Sequence, residues 1–270
     1  MCQTVSDALV PTVDVVGSIH FEGGIMDELR KGFHQQLDDV RTELVRLAAS
    51  VIEAIPRATA VILNGDLEGA DALIQFDDEI DSLSLELEER CYQILALQAP
   101  VAGDLRQVVS VVKMIAEIER SADLAVNICK AARRIYGHDL DPRLRGLIAR
   151  MGEQAEQLWE SALESFEEND AAKAAAIDDM DSYLDSLQRE FVQAILESHS
   201  ENTIDLQVAI QLAVVARFYE RIGDHAVNIG ERVRYLVTGW LPEHKGAARF
   251  RQKSGEDDTD GIPFFSVKER

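Results

Sequence analysis

A ten-residue stretch that occurs twice most limits what this chain can fold into. The stretches ERSADLAVNI (119–128) and ERIGDHAVNI (220–229) agree at seven of ten positions and begin 101 residues apart. The likeness continues upstream without gaps, since GDLRQVVSVVKMIAEI (103–118) aligns with IDLQVAIQLAVVARFY (204–219) at the same offset. Self-similarity at a fixed offset is the signature of a repeated structural unit, so the sequence predicts two copies of one unit.

Each copy of the repeat contains three predicted helices. Apolar residues recur at steps of three and four from residue 26 onward, which is the period of an amphipathic helix. Two such stripes are Leu83, Leu87, Cys91 and Ile94, and Leu206, Ile210 and Ala213. Residues that start or stop helices cluster at NGD (64–66), QAP (98–100), YGHDLDP (136–142), END (168–170) and SHSEN (198–202). The sequence therefore predicts an all-α fold of two tandem, duplicated three-helix bundles with six long helices.

The composition divides the chain into four parts. Residues 1–25 show no clear period and are predicted to form a disordered N-terminal extension, and Met26 reads as a natural start of the mature chain. Residues 26–138 form the first predicted three-helix repeat, and residues 139–238 form the second. Residues 239–270 turn to Gly, Pro and charged residues, which predicts a flexible C-terminal tail.

The charge of the chain restricts its partners, because 49 acidic residues face 27 Lys and Arg and give a net charge of −22. A surface this negative repels nucleic acid, anionic lipid and free phosphate, and it attracts cations. The sequence also contains no Gly-rich phosphate loop, no nucleophile elbow and no Ser/His/Asp arrangement. These observations argue against a nucleic-acid-binding protein and give no catalytic motif that indicates an enzyme.

The cysteines and the apolar runs indicate a cytoplasmic protein. Cys2, Cys91 and Cys129 form no CxxC pair, and the last two lie in helix-like apolar surroundings. That placement predicts buried free thiols in a reducing compartment. No run approaches the ~18 apolar residues of a membrane span. The first twenty residues lack the basic start and compact apolar core of a signal peptide.

Acids at i, i+4 spacing are the strongest candidate for a functional site. The four pairs are Asp77 and Asp81, Glu119 and Asp123, Asp181 and Asp185, and Glu220 and Asp224. On a helix this spacing places both carboxylates of a pair on one face, with Cβ atoms about 6 Å apart, where they repel each other. Among 49 acids such pairs also arise by chance, and most are simply solvated. Their repetition in both copies argues instead for a shared role.

A helical projection of residues 103–128 places Glu119 and Asp123 in an apolar sector. That sector contains Leu105, Val109, Val112 and Ala116, whereas the polar face contains Arg106, Ser110, Lys113, Glu117 and Ser121. Carboxylates in an apolar sector must be paired or coordinated, because burying an unpaired charge is costly. Arg120 or Arg221 can pair them, whereas a cation that bridges two neighbouring helices would gather four carboxylates.

A site of this kind has only oxygen ligands, which suits Mg²⁺, Mn²⁺, iron or carboxylate-bound zinc. The chain has no Glu-x-x-His motif, which ferritin-like di-iron proteins use. We interpret His225 as a surface or packing residue and not as a ligand, because Leu124 stands at the corresponding position of the first copy. Asn127 and Asn228 lie four residues after the Asp of their pairs, where they can bind a ligand or form an ordinary interhelical hydrogen bond.

These motifs resemble those of the PhoU family of phosphate-uptake regulators. The resemblance rests on ERIGDHAVNI, on DDEID (77–81) and on LALQAPVAGDLRQVVS (95–110), and it covers the chain from Met26 to Thr238. Ser121-Ala122 replaces the usual Ile-Gly of the motif. Members of that family consist of two three-helix bundles side by side, whose acidic motifs bind multinuclear iron or zinc clusters.

The resemblance implies a ligand set for each half of the chain. One metal cluster would use Asp77, Asp81, Glu119 and Asp123, and the other would use Asp181, Asp185, Glu220 and Asp224. Iron or zinc is expected first, with manganese or magnesium as further candidates. Because DSYLD (181–185) is a less typical motif than DDEID, Asp178 and Asp179 stay as alternatives in the second half.

The resemblance further implies a non-enzymatic role with defined partners. Such a cytoplasmic negative regulator links the ATPase subunit of the phosphate ABC transporter to the sensor histidine kinase of the phosphate two-component system. It restrains uptake and Pho-regulon signalling when phosphate is plentiful, forms a homodimer and meets the membrane only through its partners. Two alternatives stay open: a carboxylate-bridged metalloenzyme, either a hydrolase or an oxidase, and a metal-free helical scaffold with salt-bridged acids.

Overall fold

Six long α-helices make up the described part of the chain. The structure is a computed structural model that describes residues 23–240, with side chains from residue 30 onward. The helices are α1 (Gly23–Asn64), α2 (Leu67–Gln98), α3 (Ala102–Arg134), α4 (Pro142–Glu168), α5 (Ala171–Ser200) and α6 (Leu206–Thr238). Within residues 23–240 there is no β-strand, and the predicted all-α class is confirmed.

Aspartates fix the starts of four helices at the predicted breaks. The side chain of Asp141 accepts a hydrogen bond from the Leu144 amide at 2.9 Å, and Pro142 occupies the first turn of α4. Helices α2, α5 and α6 are capped in the same way by Asp66, Asp170 and Asp205. Each cap satisfies amide donors that have no partner within the helix.

The predicted extensions lie almost entirely outside the described residues. Helix α1 begins at Gly23, which is three residues before Met26. The rest of the predicted N-terminal extension, and the predicted tail beyond Trp240, lie outside the described residues, so the expectations about them stay predictions.

The helices pack as two bundles that share one hydrophobic core. Helices α1, α2 and α3 contact one another, and α4, α5 and α6 do the same. Helix α1 packs against α4 and α3 packs against α6, so these four helices join the bundles. Helices α2 and α5 contact only their own bundle within the described residues. The predicted pair of three-helix bundles is therefore confirmed, and each outer helix carries one of the acidic motifs.

Helix α1 passes a simple test for a membrane span, although the sequence predicted none. Its segment Arg30–Asn64 is long and apolar enough by length and composition, and half of the most apolar window is buried inside the protein. Val40, Val51 and Ile55 of this helix are fully buried in the shared core. Core helices of globular proteins pass the same test, and the burial of these side chains accounts for the apolar run.

The apolar stripe predicted for α6 (Leu206, Ile210 and Ala213) faces solvent and not the core. Leu206 and Ile210 are 59% and 50% exposed, and Leu83 of the α2 stripe is also exposed. The buried face of α6 runs instead through Val208, Leu212, Val215 and Tyr219. In α2, Leu87, Cys91 and Ile94 are buried as expected. The periodicity predicted the helix correctly, but it did not show which apolar face meets the neighbouring helices.

Two of the three cysteines lie in the described region, and both are buried free thiols as predicted. Burial raises the pKa of Cys91 to about 11 and that of Cys129 to about 12. Both therefore stay protonated and pack as small apolar side chains. Cys2 lies outside the described residues.

Candidate metal centres on the two bundles

The first acidic cluster, which consists of Asp77, Asp81, Glu119 and Asp123, forms between α2 and α3. Burial, followed by the negative charges of Asp123 and Asp81, raises the pKa of Asp77 to about 6. Burial and the same two carboxylates raise the pKa of Glu119. The acids of the α2 pair and the α3 pair therefore lie near enough to raise one another's pKa, and Asp81 and Glu119 line one groove between the helices.

The second acidic cluster, which consists of Asp181, Asp185, Glu220 and Asp224, forms in the same way between α5 and α6. Burial raises the pKa of Asp181 to about 7, with further contributions from Asp185 and Asp224. Burial and Glu220 also raise the pKa of Asp224. In both bundles the acids of the two predicted pairs thus lie near enough to influence one another's pKa, and their role as metal ligands stays a prediction.

The alternatives Asp178 and Asp179 are less suitable as ligands of the second cluster. Both side chains are exposed, whereas Asp181 is half-buried and faces the other three acids. Asp181 Oδ1 also packs so closely against Gly223 that a Cβ atom there would lie 2.3 Å from it. The absence of a side chain at Gly223 therefore makes room for Asp181.

One oxygen in each cluster is buried without a hydrogen-bond partner among the described residues. These atoms are Asp77 Oδ1 and Asp181 Oδ1. A desolvated acceptor without a donor is costly, and a bound cation would supply the missing partner. The donor set fits a hard or borderline cation, because every ligand is a carboxylate oxygen.

The carboxylates are not drawn together tightly in this structure. Within the described residues, no group of three or more His, Cys, Asp or Glu side chains has the arrangement needed to hold a metal ion. The residues fit the chemistry of a cation, but binding requires the facing pairs to move closer together.

A basic side chain enters the second cluster, although it is not the one that the sequence suggested. Arg217 forms an ion pair with Glu220, three residues later on α6. Arg120, proposed as a partner for the cluster acids, lies 3.7 Å from Glu117 instead. Sequence reasoning missed Arg217, although its i, i+3 spacing from Glu220 is the spacing of an intrahelical ion pair.

A groove of about 240 Å³ lies beside the first cluster, between α2 and α3. It is lined by Asp81, Ser84, Leu85, Glu88, Val112, Ile115, Ala116 and Glu119. Val112 and Ala116, which belong to the apolar sector predicted around Glu119 and Asp123, line this groove and are half-buried. The acids therefore lie at an open, largely apolar surface and not in the core.

The predicted polar face of α3 is buried at its two serines and exposed at Lys113. Ser110 and Ser121 are fully buried, because this face packs against α6 where the two bundles meet. Small polar side chains let two helices approach closely, which the helical projection of one segment cannot reveal. The polar face of α3 therefore lies partly at the contact between the bundles and partly in solvent.

Glu117 of that face links the two bundles through hydrogen bonds. His225 Nδ1 and Asn228 Nδ2 of α6 donate to Glu117 Oε2 at 2.6 and 2.9 Å. Burial acts to raise the pKa of Glu117, but these hydrogen bonds outweigh burial and lower it. His225 is thus a buried packing residue, as interpreted from the sequence, and Asn228 makes the interhelical bond that was one of its two expected roles.

Comparison with known proteins gives the same repeat. The family model described as the PhoU domain matches twice, at residues 44–132 and 148–233. A relative from Mycobacterium tuberculosis, named phosphate-specific transport system accessory protein PhoU homolog 2, is 36% identical over 215 residues. That match covers 79% of this chain and 100% of the relative. A relative from Pseudomonas aeruginosa, named phosphate-specific transport system accessory protein PhoU homolog, is 28% identical. That match covers 82% of this chain and 91% of the relative.

Solved structures are similar over the same part of the chain. The crystal structure of PhoU from Pseudomonas aeruginosa matches with a TM-score of 0.73 at 28% identity, and covers 77% of this chain and 100% of that one. The phosphate transport system regulatory protein PhoU from Streptococcus pneumoniae matches with a TM-score of 0.71 at 26% identity, with coverage of 77% and 98%.

Proposed function

The chain belongs to the PhoU family, and from this premise we propose that it is a cytoplasmic negative regulator of phosphate uptake and phosphate-starvation signalling. Its relatives are named as accessory or regulatory proteins of phosphate transport, and none of the names quoted above is that of an enzyme. These names favour the regulatory role over the carboxylate-bridged metalloenzyme, which would use the same ligands.

The proposed partners are the ATPase subunit of the phosphate ABC transporter and the sensor histidine kinase. Support comes from the transport system in the relatives' names and from large apolar side chains exposed at the ends of the outer helices. Examples are Leu97 at the end of α2, which is 79% exposed, and Leu196 near the end of α5. Exposed apolar side chains that group together suit protein docking. In this proposal the protein acts as a homodimer and reaches the membrane only through these partners.

The proposed cofactors are carboxylate-bound metal ions, one cluster for each bundle. Asp77, Asp81, Glu119 and Asp123 would hold the first, and Asp181, Asp185, Glu220 and Asp224 would hold the second. Iron or zinc is proposed first, with manganese or magnesium as further candidates. A bound metal would supply positive charge that offsets the repulsion between facing carboxylates and a coordination site for an anion such as phosphate. The single observation that carries the proposal is that each set contains one buried carboxylate oxygen without a hydrogen-bond partner among the described residues.

Deletion of the gene tests the regulatory role. We expect phosphate-starvation genes to be expressed at high level in phosphate-rich medium after deletion, and wild-type protein to restore repression. A variant with Ala at Glu160 and Glu164, an exposed i, i+4 pair of α4, is the matched control and should restore repression fully. Unchanged expression after deletion, in a strain with no second copy of the gene, would contradict the proposed role.

A further inference from the structure

The two acidic clusters differ at the residue that precedes the glutamate of each repeated motif by three positions. In α6 this residue is Arg217, before Glu220, and in α3 the residue at the same offset is Ala116, before Glu119. The position lies on the same helix face as the acids, one turn away. The substitution therefore places a cation beside one cluster and a methyl group beside the other.

Arg217 is positioned as the counterion of Glu220 in the second cluster. Its guanidinium pairs with Glu220, and that hydrogen bond is the main reason why the pKa of Arg217 is raised. The charges of Asp224 and Asp185 contribute in the same direction. In turn Arg217 acts to lower the pKa of Asp224, against burial and Glu220. Since arginine does not lose its proton in proteins, this positive charge persists at any working pH.

Among the residues that the structure describes, the first cluster has no such counterion. Within residues 30–240, no basic side chain forms an ion pair with Asp77, Asp81, Glu119 or Asp123. Arg120 and Lys130 are near enough to lower the pKa of Glu119 and of Asp77, but Arg120 pairs with Glu117. Ala116 occupies the position in α3 that corresponds to Arg217 in α6. It lines the 240 Å³ groove together with Asp81 and Glu119.

We propose that the two clusters are unequal cation sites: the first binds metal more tightly, because the permanent charge of Arg217 lies beside the carboxylates of the second. A metal ion that binds at the second cluster must either displace the Arg217 guanidinium or bind close to it against electrostatic repulsion. This inference rests on the proposed metal binding and adds an order of loading, with the first bundle filled before the second. A positive charge beside the carboxylates weakens cation binding at the second cluster by at least about tenfold.

Titration of the metal-free full-length protein with Mn²⁺ tests this order. Mn²⁺ suits an all-oxygen site, and both calorimetry and electron paramagnetic resonance report its binding. The wild-type protein is expected to show one tight step and a second step at least about tenfold weaker. Arg217→Ala should strengthen the second step toward the first, and Ala116→Arg should remove the tight step.

Arg143→Ala is the matched control for Arg217→Ala. Arg143 is 53% exposed and pairs with Glu197, while Arg217 is 54% exposed, so both variants remove a similar ion pair. The control should leave both binding steps unchanged. Thermal unfolding of each variant shows whether a loss of binding is caused by a loss of folding. If Ala116→Arg does not fold, Arg217→Ala still tests the inference, because it is expected to strengthen binding.

The outcomes separate this inference from the proposed function. Two equal steps in the wild-type protein that Arg217→Ala does not change would overturn the unequal sites and leave metal binding intact. A tight step that survives Asp81→Asn with Glu119→Gln, but is lost in Asp185→Asn with Glu220→Gln, would reverse the order and overturn the inference. No binding in any folded variant would overturn both the inference and the proposed metal clusters.

Discussion

Glu117 and Asp181 are both half-buried acids on helices of the same protein, but their pKa values are shifted in opposite directions. At the junction of the bundles, two hydrogen bonds from α6 hold Glu117 and lower its pKa. On the outer side of the second bundle, burial and neighbouring acids raise the pKa of Asp181 to about 7. The difference lies in the donors, because Glu117 has His225 and Asn228 whereas Asp181 Oδ1 has none among the described residues.

This contrast separates acids that stabilise the fold from acids that are suited to bind a cation. A buried carboxylate with its own donors completes a structural contact between helices. A buried carboxylate that faces other carboxylates destabilises the metal-free protein and is stabilised when a cation arrives. Glu117 belongs to the first kind, and Asp77 and Asp181 belong to the second.

The largest effect is expected from Glu117→Ala. Loss of the carboxylate leaves the His225 and Asn228 donors without their acceptor at the bundle junction, which should lower the free energy of unfolding by about 2–3 kcal/mol. Urea denaturation measures the change. Glu53→Ala, which removes an exposed carboxylate paired with Arg57, is the control and should cost less than about 0.5 kcal/mol. Equal losses for the two variants would place Glu117 among ordinary surface acids.

A smaller effect is expected from Gly223→Ala. The new methyl group would lie 2.3 Å from Asp181 Oδ1 and 2.7 Å from Leu184 Cδ2, so both side chains must shift. We expect a loss of about 1 kcal/mol in unfolding free energy and weaker cation binding at the second cluster only. Gly146→Ala on α4, where a Cβ atom meets nothing within 4 Å, is the control. Unchanged Mn²⁺ binding in Gly223→Ala would show that Asp181 is not a ligand.

The smallest effect concerns the charge of Asp181 itself. Its pKa is about 7 in the folded protein, above the value of ~3.9 for an unperturbed aspartate. The group therefore contributes stability that is full below pH ~4 and is lost as the pH rises through 7. In metal-free protein Asp181→Asn should remove this loss and raise stability at pH 8 by about 1 kcal/mol after discounting for solvent.

Two measurements sharpen the test of Asp181. The exposed Asp179→Asn is the control for net charge, and it should not change the pH dependence of unfolding. Saturating metal should reverse the order of stability, because Asp181→Asn lacks a ligand. If the wild-type protein and Asp181→Asn lose stability in parallel between pH 4 and 8, the distinction between the two kinds of acid fails.

Helix boundaries and the convergence of the acids could be predicted from the sequence, because both depend on local spacing. Asp141 and Pro142 start α4 where the sequence places them, since capping requires only residues within one turn. An i, i+4 pair lies on one face of any helix, so adjacent helices with such pairs can bring four carboxylates together. The repeat offset of 101 residues relates Glu119 and Asp123 to Glu220 and Asp224, whereas Asp181 and Asp185 were predicted from the similar motif in the preceding segment.

The contacts between helices could not be predicted, because they depend on which faces meet. Ser110 and Ser121 look like solvated residues on a helical projection, but they are buried where α3 meets α6. Leu206 and Ile210 look like core residues, but they are exposed. Arg217 could not be assigned to Glu220 from the sequence, because Arg221 is also adjacent to this acid and only the packed side chains show which arginine pairs with it.

The central claim is that the two carboxylate clusters bind metal, and metal content measures it most directly. Elemental analysis should be made on natively expressed protein that was purified without chelator and without a metal-affinity step. We expect iron, zinc or manganese well above background in the wild-type protein and in the Glu160→Ala, Glu164→Ala control. The metal should be lost from a folded variant with Ala at Glu119, Asp123, Glu220 and Asp224. Wild-type protein without metal above background, or the same metal content in the folded four-residue variant, would contradict the claim.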